Sequence, residues 1–261
     1  MEIRKIIKLL ESQGEWVNRN KTRDHILYGS DRRNVDRVIV CWVATNDIID
    51  QAIEQDIHFI ITHENPFYLA STAVPREVYE AQKEKEILLE EYHITVYRCH
   101  DLWDLYPKLG VRDTWARVLD LDFEEPEGYS FLRYANNVNM TVEELAHHIN
   151  KCIKPYDQYG IEVIGDLNKK VNKLGIGTGA CTDVFEMSEQ YVDACLVCDD
   201  AITNWIQVQW AMDHDLPLLV INHLTSEAPG IECLADYLNK EIPEVTFIYL
   251  PNNYGIHHIG E

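Results

Sequence analysis

Hydrophobic and polar positions follow two alternating periods along the chain, one typical of helices and one typical of strands. In residues 3–13 the apolar side chains of Ile3, Ile6, Ile7 and Leu10 fall on one face of an amphipathic helix. Beyond this helix, apolar runs of strand length alternate with helical stretches almost to the C-terminal end. Such alternation is typical of βαβ units with largely parallel or mixed sheets, so we predict an α/β protein.

The same patterns give approximate bounds for the elements. Helices are predicted over 3–13, 47–55, 75–91, 111–121, 142–153, 202–215 and 228–242. Strands are predicted over 37–45, 58–63, 93–101, 129–135, 162–166, 171–177, 193–200, 216–223 and 245–250. Asn46 or Asp47 is expected to cap the second helix, and Thr141 with Glu144 forms a capping box for the fifth.

Proline, glycine and acidic residues cluster in the segment DFEEPEG, residues 122–128. Such clusters mark loops between structured segments. We therefore predict two similar α/β halves with mixed sheets, 1–125 and 126–261, each long enough to bury a core without disulfides.

The charge balance narrows the partners that the protein can have. The chain has 23 Lys and Arg against 44 Asp and Glu, a formal net charge of −21. A surface this acidic argues against nucleic-acid binding and favours a small molecule, a metal or a protein as partner. The N-terminal segment does not resemble a signal peptide, and no run of 18 apolar residues follows. We therefore expect a cytoplasmic protein with no membrane segment.

Seven cysteines, an odd number without regular spacing, favour reduced thiols. Cys195 and Cys198 have the spacing of a metal or redox motif. They lie, however, in a predicted strand, where positions i and i+3 point to opposite faces. We expect both to be structural.

Two predicted strands end on a histidine, the first on His63 and the second on His223. Glu64 follows directly in the first copy, and Glu227 follows four residues later in the second. Ligands bind at the carboxyl ends of strands in α/β sheets, and imidazole with carboxylate is a typical metal-binding composition. A single histidine at such a place is more often held by a local hydrogen bond, so it is the pairing that favours a metal site.

Two further segments are open to two interpretations each. Asp101 and Asp104 follow a strand end and are either solvated surface groups or metal ligands. The turn from Gly175 through Gly177 to Gly179 precedes a helix. It either offers backbone N–H groups to a phosphate or allows close packing.

The segments ITHENPF, HDLWDLYPKLGVRDTWARVLDL, GIGTGACTD and INHLTSE, in this order and spacing, resemble the Ngg-interacting-factor-like family of metal-binding proteins, often described as type 2 GTP cyclohydrolase I. The resemblance extends over nearly the whole chain. It implies a site for a pair of metal ions in the cleft between the halves, and assembly into a homohexamer. The ligands that it implies are His63, Glu64, Asp104, His223 and Glu227.

The sequence departs from the family pattern at several positions. Glu64 stands where the family usually has a second histidine, and Val43 stands where a strand would normally carry an aspartate. Two imidazoles with three carboxylates form a harder ligand shell, which favours Mn, Mg or Fe over Zn. We expect one or two divalent ions per chain. The competing interpretation is that Glu64 leaves a site that holds a single ion or none.

Hydrolysis is the reaction class that such a site serves, because two cations activate water and hold an electrophilic oxygen. The resemblance implies a GTP cyclohydrolase-like, metal-dependent hydrolase of a nucleotide or other phosphate-containing small molecule. Glu227 and Glu64 are the candidate catalytic carboxylates. The alternative is a non-catalytic metal-binding or regulatory protein that acts through protein contacts.

Overall fold

Two units make up the chain, and each contains its own five-stranded sheet. The structure is a computed structural model that describes residues 1–68 and 75–259. Unit 1 comprises residues 1–109 and 231–252, and unit 2 comprises residues 110–230 and 253–261. Helices accompany both sheets, so the predicted α/β class with mixed sheets is confirmed.

Helices and strands are interspersed along the chain and are numbered in chain order. The helices are α1 Ile3–Glu11, α2 Asn46–Glu54, α3 Arg76–Glu91, α4 Asp101–Asp104, α5 Val111–Val118, α6 Val142–Ile153, α7 Val184–Ser188, α8 Ile206–Asp213 and α9 His223–Glu241. The strands are β1 His25–Tyr28, β2 Arg37–Cys41, β3 Phe59–Thr62, β4 Thr95–Arg98, β5 Arg133–Ala135, β6 Met140–Thr141, β7 Gln158–Tyr159, β8 Glu162–Ile164, β9 Lys170–Val171, β10 Leu174–Ile176, β11 Ala194–Cys198, β12 Leu218–Ile221, β13 Thr246–Tyr249 and β14 Ile256–His257.

The sheet of unit 1 has the order β1-β4-β3-β2-β13. All neighbouring strands are parallel except β1, which runs antiparallel to β4 at the edge. Apolar residues of β2, β3 and α2, among them Ile39, Ile60 and Ile49, form its buried core. Because β3 lies between β4 and β2, its carboxyl end is flanked by the ends of two parallel strands.

The sheet of unit 2 has the order β5-β10-β11-β12-β8. Its three central strands are parallel, and the edge strands β5 and β8 are antiparallel to their neighbours. Cys195 and Cys198 of β11 belong to two different core clusters, as expected for side chains on opposite faces of a strand.

Several local predictions are confirmed by the side-chain contacts. The four apolar residues of α1, which are Ile3, Ile6, Ile7 and Leu10, are all buried. At the start of α6 the Thr141 hydroxyl accepts from the backbone N–H of Glu144, and the Glu144 carboxylate accepts from the backbone N–H of Thr141. The capping box therefore has both of its hydrogen bonds.

Three predictions about helix ends are wrong. The N-cap of α2 is Thr45, not Asn46 or Asp47. The long helix predicted over 202–215 is only α8, because Trp205 adopts a left-handed conformation with φ +62° that no helix continues through. Helix α9 begins at His223, five residues before the predicted start at residue 228, and contains Pro229 in its interior.

Within the described residues, no helix combines the length and the apolar character that crossing a membrane requires.

Candidate metal centre

His63 directly follows β3 and is buried. Its Nδ1 lies 3.1 Å from the backbone carbonyl oxygen of Cys99. Since a carbonyl can only accept, the proton of the neutral ring lies on Nδ1 and the lone pair lies on Nε2. This Nε2 is 3.3 Å from Oδ1 of Asp104. The chain thus fixes the tautomer that a metal-binding histidine needs.

Asp104 and His100 are brought next to His63 by the short helix α4, which follows β4. The second carboxylate oxygen of Asp104 lies 3.0 Å from Nδ1 of His100. The rings of His100 and His63 stack at a centroid distance of 4.4 Å. Ligand atoms of these three residues lie within 4.8 Å of one another, so His100 joins the candidate ligands. The four-residue spacing of His100 and Asp104 was the sequence signal for it.

The charge of His100 depends on the carboxylates around it. Burial alone would lower the pKa of the ring, but Asp104, Asp101 and Glu64 outweigh burial and raise the pKa to about 12. The carboxylates thus favour the protonated imidazole, and a ring that binds a cation has to release this proton first. The pKa of Asp104 is lowered in return, because the imidazole of His100 outweighs the opposite effect of burial.

Asp24 is a buried carboxylate that holds the turn carrying His100 and Asp104 in place. Its Oδ1 accepts from the backbone N–H of His100 at 2.6 Å, and its Oδ2 accepts from the N–H of Leu102 at 3.1 Å. These two donors stand at the N-terminal end of α4, where backbone N–H groups lack partners within the helix. Burial raises the pKa of Asp24, and the hydrogen bonds work against this effect. Nothing in the local sequence indicated this contact, which joins segments 76 to 78 residues apart.

Glu64 points to an arginine and a histidine of its own unit. Its Oε2 accepts from Nη2 of Arg98 at 2.6 Å, and its Oε1 lies 3.3 Å from Nε2 of His100. Burial would raise the pKa of Glu64, but His100 and Arg98 lower it to about 2. The predicted role of Glu64 as a metal ligand and catalytic group stays a prediction.

In unit 2 the corresponding pair lies on the first turns of α9, which follows β12. Nε2 of His223 is 3.0 Å from Oε1 of Glu227, and Nδ1 of His223 is 2.9 Å from Oδ2 of Asp200. The backbone N–H of His223 donates to Oδ1 of Asp199 at 2.7 Å. The helical spacing predicted for His223 and Glu227 is thus present, and Asp200 orients the ring, a role that the sequence did not indicate.

The glycine turn packs directly against this pair. A Cβ built on Gly179, whose φ is +47°, would overlap both Glu227 Oε1 and His223 Nε2. The N–H of Gly179 donates to Oγ of Ser226 at 3.1 Å, and the N–H of Gly177 donates to the carbonyl of Leu196 at 3.4 Å. Because both amides have acceptors within the protein, these contacts favour close packing over a phosphate cradle.

Both units therefore present the same arrangement: an imidazole with one nitrogen hydrogen-bonded to an oxygen and the other facing a carboxylate. The N···O distances are 3.3 Å for His63 with Asp104 and 3.0 Å for His223 with Glu227. Two ligand atoms about 2.1 Å from one ion, at angles of about 90–110°, lie about 3.0–3.4 Å apart. The spacing in each unit is that of two ligands of one divalent cation, and in unit 1 His100 adds a third candidate ligand to His63 and Asp104.

The cysteines of β11 do not contribute to such chemistry. Burial raises the pKa of Cys195 to about 12 and raises the pKa of Cys198 well above its ordinary value. A thiol is a good metal ligand or nucleophile only as the thiolate, so both side chains are packing groups.

Comparison with known proteins identifies relatives that cover most of the chain. A relative from Clostridium acetobutylicum, named GTP cyclohydrolase 1 type 2 homolog, is 22% identical over 82% of this chain and 80% of its own length. A solved structure described as protein ybgI, of unknown function, has a TM-score of 0.78 at 19% identity and covers 97% of this chain and 100% of that one. The Bacillus cereus protein related to NIF3 has a TM-score of 0.76 at 15% identity, with 96% of each chain covered.

These structural similarities concern the fold, because the identities are low. The sequence model of the Duf34/NIF3 (NGG1p interacting factor 3) family, in contrast, matches residues 1–253. The match spans both units, including the segments around His63, Asp104 and His223. The chain therefore belongs to the Duf34/NIF3 family.

Proposed function

We propose that this protein is a metal-dependent hydrolase that acts on a nucleotide or another phosphate-containing small molecule. The observation that carries the proposal is the repeated arrangement of an oriented imidazole facing a carboxylate at about 3 Å, once in each unit. The name of the curated relatives, GTP cyclohydrolase 1 type 2 homolog, supports the substrate class.

In this proposal His63, Asp104, His223 and Glu227 hold one or two divalent ions, of which Mn, Fe, Zn and Mg are the candidates. When bound, such an ion supplies a Lewis acid that polarises an oxygen of the substrate. The residues of the chain keep the imidazoles in the binding tautomer and hold the carboxylates beside them. That both units serve one centre stays a prediction from the family resemblance.

The charge of the protein bears on substrate binding. With a formal net charge of −21, the chain as a whole repels a phosphate. We therefore propose that an anionic substrate binds only when a divalent ion is present. Substrate affinity measured with and without the ion, by calorimetry, tests this step separately from catalysis.

A screen of tag-free protein tests the proposed activity. Metal content is measured first by mass spectrometry, and hydrolysis of GTP, other nucleotides and simple phosphoesters is then followed with Mn²⁺, Mg²⁺ or Zn²⁺ added. Glu227→Ala is expected to abolish turnover. Glu232→Ala, an exposed glutamate on the same helix, is the matched control and is expected to retain it.

A non-catalytic metal-binding protein is the second candidate function. One observation favours it: Glu64, one of the two candidate catalytic carboxylates, is already paired with Arg98 and His100. Bound metal without turnover on any substrate of the screen would favour this alternative. The homohexamer implied by the resemblance is a separate proposal, which light scattering of the purified protein tests.

A further inference from the structure

Arg98 is a cation built into the surroundings of the His63–Asp104 pair. It is the last residue of β4, and its side chain is largely buried. Its Nε donates to the backbone carbonyl of His63 at 3.0 Å, while Nη2 donates to Glu64 at 2.6 Å. The guanidinium thus contacts both residues that follow β3, and it holds them through a fixed, planar set of donors.

Both oxygens of Glu64 have partners in this arrangement. Oε2 also accepts from the backbone N–H of Asn65 at 3.2 Å, in addition to its bond with Arg98. Oε1 faces His100. If such a carboxylate moves to bind a metal ion, its ion pair with the guanidinium is broken, and in partly buried surroundings the loss of this pair costs much of the energy gained from the metal.

Either a guanidinium or a divalent ion can neutralise the negative charge of the Glu64 carboxylate. Two cations on one carboxylate repel each other, and the repulsion is strong where water is largely excluded. The Nε2 of His63 instead faces Oδ1 of Asp104 at 3.3 Å, so one cation can contact both atoms, while the other oxygen of Asp104 faces the imidazole of His100. The two residues at the end of β3 therefore differ: His63 is oriented for a cation, whereas Glu64 is already neutralised.

We propose that Arg98 keeps Glu64 out of the metal's coordination shell and supplies, as a guanidinium, positive charge that a further divalent ion would otherwise supply. The inference rests on the proposed metal binding by His63 and Asp104 and refines it. Arg98 is in this account a positioning residue that limits the number of ions bound beside β3.

A charge-matched pair of substitutions tests the inference. In Glu64→Gln/Arg98→Gln a neutral amide pair replaces a neutral ion pair, so the net charge beside His63 is unchanged. We expect Mn²⁺ affinity, measured by isothermal titration calorimetry, to stay within about threefold of wild type. If Glu64 were a ligand, the double variant would lose a charged ligand and affinity would fall by at least about tenfold.

The single substitution Arg98→Gln is expected to change Mn²⁺ binding, whereas the double substitution is not. It removes the guanidinium from the Glu64 carboxylate, which keeps its contacts with Asn65 and His100, while the new amide can still donate to the carbonyl of His63. Mn²⁺ affinity is expected to rise by at least about tenfold, or a second Mn²⁺ to bind. Arg98→Met is the second variant if the glutamine folds poorly. Arg37→Gln is the matched control, because Arg37 lies on β2 of the same sheet and, like Arg98, donates to a backbone carbonyl, that of Gln55.

Asp104→Asn separates this inference from the proposed function. Loss of Mn²⁺ binding in Asp104→Asn, with retained binding in the double variant, supports both. Loss of Mn²⁺ binding in both Asp104→Asn and the double variant overturns the inference about Arg98. The proposed metal binding by His63 and Asp104 would still stand. No Mn²⁺ binding by the wild-type chain overturns the proposed function and the inference with it. Circular dichroism of every variant confirms that it is folded.

Discussion

Gly179 gives the sharpest prediction, because a methyl group there has two separable effects. Its backbone has φ +47°, where an L-residue is disfavoured by about 1–2 kcal/mol relative to glycine. In addition, the new Cβ would overlap Glu227 Oε1 and His223 Nε2, so this pair has to move. We expect Gly179→Ala to lower the free energy of unfolding by about 1–3 kcal/mol and to weaken Mn²⁺ binding at least about tenfold.

Gly128 offers a matched control for the backbone effect alone. Its φ is +54°, and no heavy atom lies within 4 Å of a Cβ built there. Gly128→Ala is therefore expected to show the cost of the left-handed conformation, about 1–2 kcal/mol, and unchanged Mn²⁺ affinity. Urea unfolding and calorimetric titration of both variants separate the two effects. Equal Mn²⁺ affinities in the two alanine variants would refute the claim that Gly179 makes room for metal ligands.

Three further predictions follow from the contacts around the candidate ligands and from the cysteines. Asp24→Ala leaves one buried and one partly buried backbone donor without their acceptor and is expected to lower the free energy of unfolding by about 2–4 kcal/mol in urea. Exposed Asp50→Ala is expected to change it by less than about 0.5 kcal/mol, and equal effects would contradict the capping role. Asp200→Ala is expected to weaken Mn²⁺ binding about tenfold through loss of His223 orientation and Asp200→Asn to weaken it less, so no change in either variant would count against that contact. At pH 8 at most three thiols of the native protein are expected to react with a disulfide reagent, because burial keeps the thiols of Cys41, Cys99, Cys195 and Cys198 protonated. All seven thiols are expected to react after unfolding, and a fourth fast-reacting thiol in the native protein would contradict this burial.

Local patterns in the sequence predicted much of the secondary structure. The apolar face of α1, the capping box of α6 and the buried parallel strands depend on residues close together in the chain. The start of α9 was missed because proline is typical of a first helical turn, while here Pro229 lies in the helix interior. The short α8 was missed because no pattern in the sequence indicates a left-handed tryptophan at residue 205.

The candidate ligands could be named from the sequence, but their supports could not. His63 and His223 were visible as strand ends, and Glu227 was visible through its spacing from His223. Asp24, Asp200 and Arg98 act on these ligands through contacts between segments far apart in sequence. Such contacts depend on the register of the sheets and the course of the loops, which hydrophobic periodicity does not specify.

The occupancy of the candidate ligands is the central claim, and anomalous scattering tests it most directly. Crystals grown with Mn²⁺ would be measured at the manganese absorption edge. We predict an anomalous peak about 2.1–2.3 Å from Nε2 of His63 or His223 and from the carboxylate beside it, Asp104 or Glu227. Peaks only at surface carboxylates, with none beside either histidine, would contradict the account.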